Sequence, residues 1–175
     1  MRLFIAIDIP DTVQQQISQL YCNFHGVSWT PPERLHITLA FLGKVQKKWL
    51  PHLNRQLETI NFDPFTLHCD RFGSFRSGDI WLGVTPEDQI TQLHKQILDA
   101  LDKIDMGFEG RPFKPHITLA YIRKNEEHLV LNVLENRRTF ETLSFTVDHF
   151  NLKSSWRRPS GSLHRIEAIY SAQSE

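Results

Sequence analysis

Apolar and polar positions along this chain follow two periods, and the order in which those periods succeed one another predicts its elements. Leu3-Phe4-Ile5-Ala6-Ile7 is an unbroken apolar run. It predicts a buried strand, ended by Asp8 and by Pro10, which has no N–H to give a sheet ladder. Val13, Ile17, Leu20 and Phe24 then recur at helical spacing, with Asp11 as the expected N-cap and Gly26 closing the helix. Thr30-Pro31-Pro32-Glu33 reads as a loop that delivers the chain into a strand starting at His36 and ended by Gly43. A second helix is expected through Trp49, Leu53, Gln56, Leu57 and Ile60.

Phe65 to Phe72 and Ile80 to Val84 bracket the small, polar run Gly73 to Asp79, the pattern of a hairpin. From Glu87 to about Ile104, Ile90, Leu93, Ile97, Leu98 and Leu101 fall at three and four spacing and predict a helix, which Gly107 and Gly110 break. Arg111-Pro112-Phe113-Lys114-Pro115 leads into a strand at His116. A helix from Glu126 to about Asn136 follows, then strands near Leu143 to Leu152 and Leu163 to Tyr170. Between those strands, Lys153 to Gly161 reads as a loop bearing Trp156-Arg157-Arg158.

The tetrapeptide His36-Ile37-Thr38-Leu39 recurs as His116-Ile117-Thr118-Leu119, about half a chain length later. That separation is too long for a solenoid unit. Two similar lobes, each built on one copy, are the natural reading, and no low-complexity linker divides them, so residues 1–175 are expected to form one bilobal unit. On a strand, side chains alternate faces. His36 and Thr38 then share one face, and Ile37, Leu39 and Phe41 the other. In the second copy His116 and Thr118 oppose Ile117, Leu119 and Tyr121. With the aliphatic faces in the core, two imidazoles and two hydroxyls are left to surround one small anion.

In-line attack on a phosphodiester needs a base for the nucleophile and an acid for the leaving oxygen, on opposite sides of phosphorus. Histidine serves both roles because its ordinary pKa, about 6.5, lets one ring be neutral and another charged near neutral pH. Threonine hydroxyls two residues on can donate to the non-bridging oxygens, where charge accumulates. A lone histidine on a strand more often packs than catalyses. Packing, however, asks only that Ile37 and Leu39 recur; the return of His and Thr as well points to chemistry.

The net charge of zero removes bulk electrostatic attraction to nucleic acid, so basic residues must act locally. Apolar content of 40% and charged content of 23% are ordinary for a folded soluble domain. Cys22 and Cys69 have no spacing of a zinc or redox site, and His25, His52, His68, His94, His128, His149 and His164 form no ligand pattern. No metal and no cofactor are therefore expected. The run Leu3 to Ile7 is too short for a signal sequence or a membrane span. A cytoplasmic protein without a membrane partner is the expectation, with a monomer as its working state.

The paired motif does not stand alone. With Arg2 to Pro10, Leu35 to Val45, Trp81-Leu82-Gly83 and Arg111 to Pro115 beside it, the chain resembles the two-histidine (2H) phosphoesterase superfamily over nearly its whole length. Within that superfamily it looks most like the bacterial RNA 2′,3′-cyclic phosphodiesterases, also called 2′-5′ RNA ligases. The resemblance implies a bilobal α+β fold: two pseudo-twofold-related antiparallel sheets, helices outside, and a central groove. It implies metal-independent opening of a 2′,3′-cyclic phosphate at an RNA end to a 2′-phosphomonoester, reversible as 2′-5′ joining. His36 would be the proton donor to the departing 3′ oxygen, His116 the base that activates water, and Thr38 and Thr118 the phosphate holders.

Two features set the resemblance against the residues. Phe41 and Tyr121 would flank the nucleobase, whereas strict alternation turns them to the core; a bend or break in each strand is needed to reconcile the two. Tyr121 also stands where family members often carry arginine, and Arg123 is the candidate to supply that charge. Trp156-Arg157-Arg158 suits a single-stranded RNA end as well as it suits an exposed turn. Two other functions stay open at this point. One is a noncatalytic module that binds RNA ends or nucleotides, which has no use for two proton-transfer groups; the other is a hydrolase of 2′-5′ oligonucleotides.

Overall fold

The protein is described from a computed structural model, which covers residues 1–104, 112–123, 126–158 and 161–173. Gly107, Gly110 and Arg111 lie outside the described residues. Strand β1 (Arg2–Asp8) is the apolar run of the N-terminus. It lies between β3 (His36–Lys44) and β8 (His149–Arg158), antiparallel to both. Leu3, Ile5 and Ile7 join the core cluster, while Phe4 and Ala6 are buried on the opposite face, Phe4 against the rings of His36, Phe41 and His164, so the strand carries no alternation.

Helix α1 (Asp11–Ser18) is shorter than its apolar spacing predicts. Pro10 takes the N-cap position and Asp11 opens the first turn, where its charge faces the positive end of the helix. The chain leaves the helix after Ser18 because Tyr21 is drawn away, stacked on Trp29 at 4.6 Å with its hydroxyl donating to the Thr30 carbonyl. Trp29 belongs to β2 (Val27–Trp29), a strand too short to show a period in the sequence. A single tight turn at Pro32–Arg34 then feeds β3.

Helix α2 (Leu50–Leu57) buries Leu53 and Leu57 and ends before Ile60. Strands β4 (Phe65–Ser74) and β5 (Asp79–Thr85) form the expected hairpin. At its turn Gly78 takes φ +88°, and a Cβ there would sit 2.3 Å from the Ile122 carbonyl oxygen, so only glycine fits. Helix α3 (Glu87–Asp102) buries Ile90, Leu93, Ile97, Ala100 and Leu101 on one stripe, and β6 (His116–Ile122) is the second copy of the repeat.

After α4 (Glu127–Arg137) come β7 (Leu143–Val147), β8 and β9 (Gly161–Ser171). The run expected as one strand over Leu143 to Leu152 is in fact two, parted at Asp148. The expected loop from Lys153 is also corrected: Lys153 to Arg158 continue β8 and pair with β9 as far as Arg158 opposite Gly161. Composition misled there, because basic and polar residues serve equally well in an exposed hairpin arm.

The strands form one antiparallel, curled sheet in the order β7-β4-β5-β6-β3-β1-β8-β9, with β2 beside β6. Its two halves, β6-β5-β4-β7 and β3-β1-β8-β9, mirror each other about the β3–β6 junction. This is the α+β fold that the resemblance implied, except that the two expected antiparallel sheets are joined into one by the β3–β6 pairing. The halves meet through one residue pair, Ile37 with Ile117. Residues of α1, α2, α3 and α4 join Ile5, Ile37, Leu39, Leu82, Ile117 and Leu119 in one apolar cluster. The helices therefore cover one face of the sheet and leave the other to the groove.

Candidate active site

The two repeat strands resolve the conflict over alternation by the same device. Along β3, Thr38 pairs with Ala6 and Ala40 with Ile5, so Leu39 is an extra residue with no partner. Along β6, Thr118 pairs with Trp81 and Ala120 with Ile80, so Leu119 is likewise extra. Each is a β-bulge, which places two successive residues on the core side and turns the next side chain to the opposite face. Leu39 and Ala40 are both buried, as are Leu119 and Ala120. Phe41 and Tyr121 consequently turn to the groove side, 59% and 53% exposed, and the expectation from strict alternation is overturned. The spare carbonyls are satisfied: Leu39 accepts from the His94 imidazole at 2.8 Å and Leu119 from the Thr30 amide at 2.8 Å.

Register brings the four repeated polar residues together. With Ile37 opposite Ile117 in an antiparallel pair, His36 faces Thr118 and Thr38 faces His116, all on the groove side of the junction. Each imidazole is held in the same way. His36 Nδ1 lies 2.6 Å from the carbonyl of Arg34, and His116 Nδ1 lies 2.6 Å from the carbonyl of Lys114. A carbonyl only accepts, so each Nδ1 carries hydrogen and each Nε2 is the nitrogen free to exchange a proton in the groove.

The rings differ in their surroundings. His36 packs between Phe4 and His164, with ring centroids 5.3 and 5.4 Å away. That burial pushes its imidazole down to about 4; the nearby Lys153 and His164 add to the effect, while the Arg34 carbonyl and Asp8 oppose it. Asp8 pairs with His36 across β1 and β3, and it accepts from Asn151 at 2.9 Å and from the buried Lys153 at 2.5 Å. His116 instead meets the edge of Phe75 at 5.0 Å, and the Lys114 ammonium stands over Trp81 and Phe75 at 4.3 and 5.4 Å.

Arg123 follows the end of β6, exposed and without a hydrogen bond or ion pair among the described residues. The charged groups acting on the Tyr121 phenol are Asp79 and Arg34 instead. Sequence reasoning passed over Phe4, Asp8, Arg34, Lys153 and His164. Arg34 and Lys114 had a readable signal, a basic residue two positions before each histidine; the others are brought in only by cross-strand pairing. Among the described residues no three His, Cys, Asp or Glu side chains gather as a metal-ligand set, and no helix is long and apolar enough to cross a membrane.

The fold is shared with known proteins. The profile of the 2′-5′ RNA ligase superfamily matches residues 9–157, and the chain belongs to that superfamily. It is 32% identical to the RNA 2′,3′-cyclic phosphodiesterase of Archaeoglobus fulgidus, over 97% of this chain and 99% of the relative. It is 30% identical to the protein of the same name from Thermotoga maritima, over 100% of this chain and 96% of the relative. Among solved structures, Escherichia coli LigT complexed with 3′-AMP superposes with a TM-score of 0.81 at 26% identity, covering 99% of this chain and 98% of that one.

Proposed function

We propose that the protein is an RNA 2′,3′-cyclic phosphodiesterase that works by two-histidine acid–base catalysis. The observation that carries the reading is the matched pair of Nδ1 anchors on strands whose register sets each histidine opposite the other's threonine. Two Nε2 atoms with the same tautomer then border one site from equivalent strands. The relatives named RNA 2′,3′-cyclic phosphodiesterase supply the reaction, and the 3′-AMP complex of a structural neighbour supports a nucleotide in this groove.

In the proposed reaction His116 Nε2 takes a proton from water as the water oxygen attacks phosphorus. The bond from phosphorus to the 3′ oxygen breaks on the opposite side, and His36 Nε2–H protonates that oxygen. The product is a 2′-phosphomonoester with a free 3′ hydroxyl. Thr38 and Thr118 donate to the non-bridging oxygens as their charge rises. Phe41 and Tyr121, which the bulges turn to this face at opposite ends of the β3–β6 junction, each offer aromatic surface to a base beside the phosphate. With an RNA 5′ hydroxyl in place of water, the same steps give a 2′-5′ linkage.

The test is release of adenosine 2′-phosphate from adenosine 2′,3′-cyclic phosphate in excess chelator. His36→Ala and His116→Ala should each lower kcat by about 10² to 10⁴ with an unchanged circular dichroism spectrum. Tight binding without turnover would make the groove a binding module. Turnover that returns only with added metal would refute the two-histidine chemistry.

A further inference from the structure

Next to Asp8 and His164, the neighbours of His36 on the side away from β6, lies an open pocket of about 440 Å³, large enough for one nucleotide unit. It is bounded by the Pro31–Arg34 turn, by Asp8 and Lys153, and by the β8–β9 hairpin. Its basic groups are not equivalent. Lys153 is committed to Asp8. Arg34 reaches across to the hairpin, where one guanidinium nitrogen donates to the Ser162 carbonyl at 2.5 Å and packs over Gly161, a position with φ +113° and no side chain to displace it. The rest of that planar fork is left for another acceptor. Arg158 is exposed at the rim and makes no ion pair among the described residues. His164, whose Nδ1 is buried without a hydrogen-bond partner, lines the wall nearest His36. Leu163 and Ile166 add apolar surface, 43% and 46% exposed.

The direction of the reaction says what this pocket meets. A proton donor must stand on the side of the leaving oxygen, and the 3′ oxygen belongs to the ribose. Assigning His36 to that oxygen therefore places the sugar on the His36 side of phosphorus, with its 5′ carbon leading outward along that side. We propose that the pocket holds the phosphodiester on the 5′ side of the terminal nucleotide, with Arg34 and Arg158 grasping its phosphate, so that the enzyme selects an RNA chain over a free cyclic nucleotide. The inference rests on the two-histidine reading above. Its chemistry is that of guanidinium forks on a phosphate, beside an apolar wall for the sugar.

The experiment compares adenosine 2′,3′-cyclic phosphate with the same compound bearing a 5′-phosphate, in the wild type and in Arg158→Ala. The 5′-phosphate should raise wild-type kcat/KM about tenfold or more, mostly through KM, and Arg158→Ala should cut that advantage to below about threefold. Arg158 is exposed, so its loss leaves the core untouched. Equal kcat/KM on the two substrates in the wild type would overturn the subsite while the phosphodiesterase reading stood. A full advantage surviving Arg158→Ala would also overturn it, by placing the phosphate elsewhere. Turnover of neither compound would remove the reading and the subsite together.

Discussion

A general acid must hold a proton when the substrate is bound, and His36 alone does not hold one at neutral pH. Burial against Phe4 and His164, with Lys153 nearby, keeps its imidazole down to about 4. The perturbation that corrects this is the substrate's own charge. One negative charge about 4 Å from the ring, at an effective dielectric of about 20, is worth about 4 kcal/mol. At about 1.36 kcal/mol for each pKa unit, that is a rise of about 3 units, which brings the ring to about 7. Binding of a phosphate anion is thus predicted to draw a proton onto His36, while its Nδ1 stays on the Arg34 carbonyl. The assay is a pH titration of the imidazole signals by NMR, from pH 4 to 8, with and without saturating adenosine 2′-phosphate, the His36 signals being those missing from His36→Gln. The account expects His36 to titrate near 4 without the nucleotide and near 7 with it. A ring that stays neutral at pH 6 with the nucleotide bound would refute the donor role.

Three further outcomes follow from the same geometry. Thr38→Ala and Thr118→Ala should each lower kcat by about 10- to 100-fold with little change in KM, since their donors meet charge that grows only in the transition state; steady-state kinetics on a cyclic nucleotide checks this. Because the His36 imidazole is lowered in the folded protein, the unfolded chain binds the extra proton between its ordinary 6.5 and about 4; stability should fall by about 3 kcal/mol as pH drops through that window, and urea melts should show His36→Gln losing less. Asp8→Asn leaves the buried Lys153 without its counter-charge and should cost about 3 kcal/mol of stability, measured by denaturant unfolding at pH 7.

The features legible in the sequence were those carried by period and repetition. Helix α3 was evident from its stripe, and the duplicated tetrapeptide announced two related halves and the residues that line their junction. The bulges at Leu39 and Leu119 were not legible, because an extra residue leaves no mark on a strand composition that suits either register; the need for a bend at Phe41 and Tyr121 was visible only as a conflict. Arg34, Asp8, Lys153 and His164 lie far apart along the chain and are assembled by the β1–β8 and β8–β9 ladders, a matter of strand order that alternation alone does not determine. Lys153 to Arg158 were hidden for the opposite reason, their composition imitating a loop.

The most direct measurement is a crystal structure with adenosine 2′-phosphate bound. The account predicts the phosphate over the Ile37–Ile117 pair, within hydrogen-bond distance of Nε2 of both His36 and His116 and of the hydroxyls of both Thr38 and Thr118. A phosphate bound elsewhere, or one reached by a single histidine while the other ring points away, would contradict it.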